Sequence, residues 1–129
     1  MIKKEQHAVV AYILREDGKI LSVARKETGQ HSAPGGKVEP GDVTLSCALK
    51  REVKEEVGID VRSCRFVHDG LHSSGRRVVS FVVEHNRYTG TPVASEPGTR
   101  VEWVDPIEIA NGFGSEYHSV ALRVAGILR

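Results

Sequence analysis

The most regular pattern in the chain lies between residues 45 and 57, where an apolar side chain recurs at every fourth position. The apolar positions are Leu45, Leu49, Val53 and Val57. This spacing predicts a helix with one buried face. Asp42 or Thr44 can cap the start of the helix, and Gly58 can adopt the left-handed conformation that ends many helices.

Other apolar segments have the composition of β-strands. The predicted strands are 7–14, 20–25, 60–68, 77–85 and 101–104. Gly18 lies where a tight hairpin turn needs a glycine, so strand 20–25 is predicted to pair with strand 7–14. Residues 78–83 are almost continuously apolar, as in a strand that is covered on both faces. Residues 73–75 form a polar turn between two strands.

The C-terminal part of the chain is predicted to be helical. Asp105 and Pro106 begin a short helical turn that ends at Ala110, and an amphipathic helix follows. The residues expected to pack this helix and its end against the sheet are Val120, Leu122, Val124, Ile127 and Leu128. Strands and helices together predict one α/β (α+β) domain over residues 1–129.

Charge and cysteine content exclude several classes of function. The 129 residues contain 18 Lys and Arg against 17 Asp and Glu, a net charge of +1, with no run of like charges. We therefore expect neither a nucleic-acid groove nor a membrane surface. The first ten residues lead into a strand without an apolar signal segment. Cys47 and Cys64 lack metal-type spacing and are expected to be reduced thiols in a cytoplasmic protein.

Three acidic residues lie beside the apolar face of the predicted helix. At about 100° per residue, Glu52 and Glu56 border that face, and Glu55 lies one step further round. Two neighbouring carboxylates at such a border repel each other and lose hydration. Either a cation holds them together or the pKa of each carboxyl rises, and a bound divalent metal would satisfy both carboxylates.

This segment resembles the signature of the Nudix hydrolase family. Gly36 opens the signature, and residues 51–59 (REVKEEVGI) match its second half. Asp42 stands where the family has its first glutamate, and eight residues instead of seven separate it from Arg51. The apolar face continues unbroken from Leu45, so the additional residue is placed ahead of the helix. The spacing leaves open whether the shorter Asp42 still reaches Arg51.

The resemblance implies a Nudix fold, which is an α/β/α sandwich around a mixed β-sheet. It implies Mg²⁺, with Mn²⁺ as a substitute, as the cofactor for hydrolysis of a nucleoside diphosphate linked to another group. The implied metal ligands are Gly36, Glu52, Glu55 and Glu56. The implied candidates for the catalytic base are Glu52, Glu55 and Glu96. The implied substrate-binding residues are Arg25, Gly35, Gly36, Lys37 and Glu39, and the structural pair is Asp42 and Arg51.

Several of these assignments have alternatives. Arg25 is also explained as a solvated arginine at a strand end, Glu39 as a partner of Lys37 or Arg51, and Glu96 as an exposed loop residue. His31 is expected to be incidental to the substrate. The segment before Pro34 lacks the aromatic residue that many relatives carry, so no stacking surface for a base is predicted there.

The small size is similar to MutT-type enzymes, which favours a nucleoside triphosphate, such as an oxidised dGTP, cleaved to a nucleoside monophosphate and pyrophosphate. The alternatives are a pyrophosphatase of ADP-ribose or another dinucleotide, and an inactive nucleotide-sensing module. Loops 26–33, 68–76 and 105–118 are expected to select the leaving group. The expected partner is a small nucleotide, without nucleic acid or membrane, and the expected state is a monomer or a homodimer.

Overall fold

The computed structural model describes residues 7–129, and this part of the chain contains eight strands and three helices. The strands are β1 (His7–Ile13), β2 (Ile20–Ala24), β3 (Gly35–Lys37), β4 (Asp60–Val61), β5 (Arg65–Leu71), β6 (Arg77–Val83), β7 (Tyr88–Thr89) and β8 (Arg100–Val104). The helices are α1 (Leu45–Val57), α2 (Pro106–Ala110) and α3 (Ser115–Val124). None of the helices within residues 7–129 has the length and apolar character needed to cross a bilayer.

Four strands form a mixed sheet in the order β3-β1-β6-β5. β1 and β6 are parallel, whereas β3 and β5 pair antiparallel with their neighbours. β6 is buried at every position after Arg77, as its apolar composition predicts. Two smaller antiparallel sheets, β2 with β8 and β4 with β7, complete the strand pairing.

Helices cover both faces of the four-stranded sheet. Alternate residues of β1 point to opposite faces. Val9, Ala11 and Ile13 belong to a core cluster with the apolar face of α1, whereas Tyr12 belongs to a second cluster with residues of α2 and α3. The predicted α/β/α sandwich around a mixed sheet is therefore confirmed.

α1 has the boundaries that its sequence predicts. Thr44 is the N-cap, and its hydroxyl accepts a hydrogen bond of 3.0 Å from the backbone N–H of Cys47. Gly58 ends the helix with a φ of 75°, where a residue with a Cβ would be strained. The helix is unbroken from its first residue, which agrees with an additional residue placed ahead of it.

The predicted pairing of β2 with β1 is wrong beyond one bridge. The turn forms as expected, because Arg15 N–H donates to the carbonyl of Lys19 and Gly18 has a φ of 89°. However, only Leu14 and Ile20 form a bridge, and β2 then pairs with β8 over five residues. The reason is that a strand has two edges, and those of β1 are taken by β3 and β6.

The predicted packing face of α3 is partly wrong. Val120 and Val124 are 48% and 58% exposed, although Leu122 is buried and both Ile127 and Leu128 pack against the core. The buried positions of α3 are Tyr117, His118, Ala121 and Leu122. These recur with the period of the helix, which places Val120 and Val124 on the opposite face.

Candidate active site

A cavity of about 560 Å³ lies beside the last turns of α1 and the start of β3. Its lining combines side chains of both charges. The acidic residues are Glu27, Glu52, Glu55, Glu56 and Glu96, and the basic residues are Arg25, Lys26, Lys37 and Arg76. Nearly all the residues predicted to bind metal or substrate line this one cavity, together with Gly35 and Gly36.

Glu56 has the most perturbed carboxyl group of the cavity. Burial raises its pKa to about 7, with a hydrogen bond from the Gly35 backbone opposing that rise. The charges of Glu52 and Glu96 raise this pKa further, and the charge of Arg25 lowers it. A carboxylate in this position is therefore poorly compensated in the absence of a cation.

Glu52 lies directly against the backbone of β3. A Cβ at Gly36 would overlap the Glu52 carboxylate, and a Cβ at Gly35 would overlap the carbonyl oxygen of Val9. Gly36 therefore allows the Glu52 carboxylate to lie close to β3, and Gly35 allows the backbone of β1 to do the same. Burial raises the pKa of Glu52, and the hydrogen bond of 2.9 Å from Arg51 Nη1 opposes that rise.

Glu55 and Glu96 are more exposed and are paired with cations. Arg51 Nη1 lies 3.1 Å from Glu55 Oε1, and Lys26 Nζ lies 2.8 Å from Glu96 Oε1. The hydrogen bond from Lys26 lowers the pKa of Glu96. The loop that carries Glu96 is held to α1, because Ser95 N–H donates to the carbonyl of Glu56 at 3.2 Å.

Within residues 7–129, no three acidic, histidine or cysteine side chains already converge as a metal-binding group. Arg51 Nη1 pairs with both Glu52 and Glu55, and Lys26 pairs with Glu96. The donor chemistry nevertheless suits a hard divalent cation, because carboxylate and carbonyl oxygens are the ligands that Mg²⁺ and Mn²⁺ prefer. Glu56 and Glu52 are the two carboxylates whose raised pKa values such a cation would offset.

Asp42 reaches Arg51 despite its shorter side chain. Arg51 Nε donates to Oδ1 at 3.0 Å and Nη2 donates to Oδ2 at 2.8 Å, which is a two-pronged ion pair. Arg51 Nη2 also donates to the carbonyl of Lys37, so the pair connects α1 to the end of β3. Val43, which follows Asp42, is 80% exposed and projects away from this contact.

Glu39 lies beside Arg51, at the edge of the site. Its side chain is absent from the lining of the cavity and lies 3.4 Å from Arg51 Nη1. Its backbone N–H donates to Asp42 Oδ2 at 2.8 Å, which holds the residue in the turn ahead of α1. The alternative of a partner for Arg51 describes this contact, and the charge of Glu39 also raises the pKa of Glu52. A substrate-binding role for Glu39 stays a prediction.

The sequence did not identify an aromatic side chain in the cavity. Phe113, between α2 and α3, lines the cavity, and its ring lies 3.9 Å below the guanidinium of Arg25. His72 contacts the same ring with a centroid distance of 5.5 Å. Both residues fall in the loops expected to select the leaving group, but no local pattern indicates that these two loops meet.

His31 has a structural position. Its Nδ1 hydrogen-bonds the buried hydroxyl of Ser22 at 2.7 Å, and its carbonyl accepts a hydrogen bond of 2.9 Å from Phe113 N–H. His31 does not line the cavity. It links β2 to the turn between α2 and α3.

Known proteins resemble the chain over most of its length. The family model described as NUDIX domain matches residues 4–123. A "MutT-like protein" of Streptomyces ambofaciens is 31% identical over 111 residues, which are 85% of this chain and 70% of that protein. The "Uncharacterized Nudix hydrolase YvcI" of Bacillus subtilis (strain 168) is 30% identical over an alignment of 105 residues, and the match covers 77% of this chain and 66% of that protein.

Solved structures resemble the chain equally broadly. The crystal structure of a MutT Nudix hydrolase from Burkholderia pseudomallei has a TM-score of 0.71 and 27% identity, and the match covers 91% of this chain and 95% of that one. A C. elegans Ap4A hydrolase has a TM-score of 0.73 over 92% of this chain and 96% of that one. Its identity of 18% limits that likeness to the fold.

Proposed function

We propose that this chain, which belongs to the Nudix hydrolase family, cleaves the pyrophosphate bond of a nucleoside triphosphate and releases a nucleoside monophosphate and pyrophosphate. The observation that carries the proposal is the position of Glu52 and Glu56 in the cavity. Both carboxylates lie in surroundings that raise their pKa values, beside the glycines of β3. Neither is explained by fold stability, because each would be better solvated on the outer face of α1.

Glu52 and Glu56 would hold Mg²⁺ or Mn²⁺, with Glu55 and the carbonyl of Gly36 as additional ligands. When bound, such a cation neutralises phosphate charge and lowers the pKa of a coordinated water. Arg51 is positively charged and would not hold the cation. Its hydrogen bonds to Asp42 and to the carbonyl of Lys37 keep the turn ahead of α1 against β3.

The basic side chains of the cavity would bind the phosphate groups of the substrate. Lys37 and Arg76 line it without an ion pair to any carboxylate within residues 7–129. Cations without a carboxylate partner are available to phosphate oxygens. Together with Arg25 they would orient the polyphosphate so that the scissile bond faces the glutamates.

Removal of a proton from the attacking water requires a carboxylate near that water. Glu52, Glu55 and Glu96 line the cavity and are the candidates. Glu52 is paired with Arg51 and Glu96 with Lys26, and the ion pair with Lys26 lowers the pKa of Glu96. Glu96 would have to leave Lys26 before it could accept a proton.

The substrate assignment rests on the MutT-like relatives and on the charge of the cavity. An oxidised dGTP is the first nucleotide to test, and ADP-ribose and dinucleoside polyphosphates are the alternatives. The assay incubates the protein and Mg²⁺ with each nucleotide, and chromatography identifies the products. Nucleoside monophosphate and pyrophosphate, formed with Mg²⁺ and abolished by a chelator, are the expected products.

The panel also separates the alternatives. Release of AMP from ADP-ribose or a dinucleotide, with no triphosphate cleaved, would replace the proposed substrate by the second class. Tight nucleotide binding without any turnover would indicate a sensor instead of an enzyme. Glu56→Gln serves as the inactive control, so that a contaminating phosphatase is detected.

A further inference from the structure

Arg25 has an unusual environment for an arginine that shares a cavity with carboxylates. Five glutamates line the cavity with it, yet within residues 7–129 its guanidinium forms no ion pair with a carboxylate. It lies instead over the ring of Phe113, at 3.9 Å from the ring centroid. A cation at this distance is held by the negative face of the ring without being neutralised.

The backbone of Phe113 is fixed to the same loop that carries Arg25. Phe113 N–H donates to the carbonyl of His31 at 2.9 Å, and His31 Nδ1 hydrogen-bonds Ser22 Oγ on β2 at 2.7 Å. The absence of a side chain at Gly112 permits the approach, because a Cβ there would overlap the carbonyl oxygen of His31. The turn between α2 and α3 is thereby anchored to β2 through His31.

The loop between β2 and β3 is closed on itself at Arg25. Arg25 N–H donates to the carbonyl of Gln30 at 2.9 Å, and Gly29 N–H donates to the carbonyl of Arg25 at 2.6 Å. The backbones of Arg25 and His31 are thus held by one compact loop. Phe113 contacts both sides of this loop, by its N–H at His31 and by its ring at Arg25.

Without the ring, the guanidinium would be attracted to the carboxylates around it. Glu56 is close enough to Arg25 for the two charges to interact, and Glu96 also lines the cavity. An arginine paired with either residue would be less available to phosphate and would oppose cation binding by the same carboxylates.

We propose that Phe113 is a positioning residue that holds the Arg25 guanidinium, unpaired with carboxylates, where it can bind a phosphate group of the substrate. The inference rests on the proposed function, because it deepens the role of the cavity as a polyphosphate site. Phe113 acts through Arg25, because the guanidinium covers one face of its ring.

The first test needs neither metal nor turnover. Ring-current shifts place the side-chain proton signals of Arg25 upfield when the guanidinium lies over the Phe113 ring. We expect this upfield shift in the NMR spectrum of the metal-free wild type and of Phe113→Tyr, and its loss in Phe113→Leu. Arg25→Lys assigns the signals by removing them, and circular dichroism confirms that each variant is folded.

The second test is a double-mutant cycle of binding. Calorimetry measures the affinity for the α,β-methylene analogue of dGTP with Mg²⁺. Phe113→Leu should weaken binding about three- to thirty-fold, the range that one cation–π contact represents. Phe113→Tyr should remain close to the wild type. In the Arg25→Ala background, Phe113→Leu should have no further effect.

Two results would overturn the proposal. An unchanged Arg25 signal in Phe113→Leu would show that the ring does not hold the guanidinium. A further loss of affinity from Phe113→Leu in the Arg25→Ala background would show that Phe113 touches the nucleotide itself. A wild type that neither binds nor cleaves nucleotides would refute the proposed function, while the NMR comparison would still decide whether Phe113 holds Arg25.

Discussion

In the metal-free protein, the contribution of Glu56 to the free energy of unfolding depends on pH. Its pKa is about 7 in the folded chain against an ordinary value of 4.5, so the folded state binds the proton more tightly than the unfolded state. The stability that this proton contributes is complete below pH 4.5 and is lost as the pH rises through 7. Above that pH, a neutral side chain of the same shape should be tolerated at least as well.

Glu56→Gln should therefore separate activity from folding. In a chelator at pH 8, we expect the variant to unfold at the same temperature as the wild type or at a higher one, because no charge is buried. With Mg²⁺, its turnover should fall by several orders of magnitude, because the variant lacks the carboxylate that is proposed as a metal ligand. Calorimetric unfolding and the product assay measure the two effects.

The control for this variant is Glu16→Gln, which changes an exposed glutamate in the turn between β1 and β2. Both quantities should remain at wild-type values. A turnover of Glu56→Gln near that of the wild type would refute the assignment of Glu56 as a ligand.

His118 couples the stability of the second core cluster to pH. It is 3% exposed, and its Nδ1 hydrogen-bonds the Tyr12 hydroxyl at 2.7 Å. Burial lowers its pKa to about 4 from 6.5, and His72 contributes to the same direction. The folded state therefore disfavours protonation, and the free energy of unfolding should fall as the pH decreases from 6.5 through 4.

Complete protonation of His118 should lower the free energy of unfolding by about 3 kcal/mol, because its pKa is about 4 in the folded chain against an ordinary value of 6.5. His118→Gln keeps a hydrogen-bonding group for Tyr12 but does not titrate. Urea unfolding at pH 7, 5.5 and 4 should show a smaller decrease for the variant than for the wild type, since the carboxyl groups titrate in both. Equal decreases in the two proteins would contradict this role of His118.

At the scale of the element, the start of α1 depends on one ion pair. Asp42 is 7% exposed, and both of its carboxylate oxygens accept hydrogen bonds from Arg51. Val43, between Asp42 and the N-cap Thr44, is 80% exposed, and α1 begins only at Leu45. The same carboxylate also accepts from Glu39 N–H, which shapes the turn.

Asp42→Ala should lower the free energy of unfolding by about 2–3 kcal/mol, because Arg51 loses a buried partner. Asp42→Asn is the matched control: it can still accept from Glu39 N–H but lacks the charge, so its loss should be smaller. Urea denaturation at pH 7 measures both. Equal stability of Asp42→Ala and the wild type would mean that the other carboxylates around Arg51 replace Asp42.

Local elements were predictable to the extent that their determinants are local. The period of the apolar residues and the capping residues Thr44 and Gly58 are enough to define α1. The partner of β2 was not predictable, because the competition for the edges of β1 depends on strands far away in the chain. The face of α3 was misjudged because Val120 and Val124 are apolar by composition but lie off the buried period.

At the scale of the whole molecule, the cavity combines segments that the sequence keeps apart. The glutamates of α1 and the glycines of β3 were identified because they lie within one continuous motif. Phe113, His72 and Arg76 were missed because they reach the cavity only through tertiary packing. The part of the cavity formed by α1 and β3 is thus encoded locally, and the part formed by Phe113, His72 and Arg76 is encoded by the fold.

Since these segments meet only in the folded chain, a nucleotide bound across them with Mg²⁺ should stabilise the whole molecule. Binding to the folded state alone adds about 2.7 kcal/mol when the free ligand is at 100 times its Kd. For a chain of this length, that corresponds to a rise in Tm of about 10 °C. Differential scanning fluorimetry with the α,β-methylene analogue of dGTP and Mg²⁺ measures the rise.

The nucleotide analogue with a chelator should give a much smaller rise, and Glu56→Gln should lose most of the rise seen with Mg²⁺. Glu16→Gln should retain the full rise, because its turn lies outside the cavity. An equal rise in the wild type with and without the metal would mean that the basic side chains bind the nucleotide alone. The carboxylates of α1 would then have no part in holding it, and the site would have to be reassigned to the residues around Arg25 and Arg76.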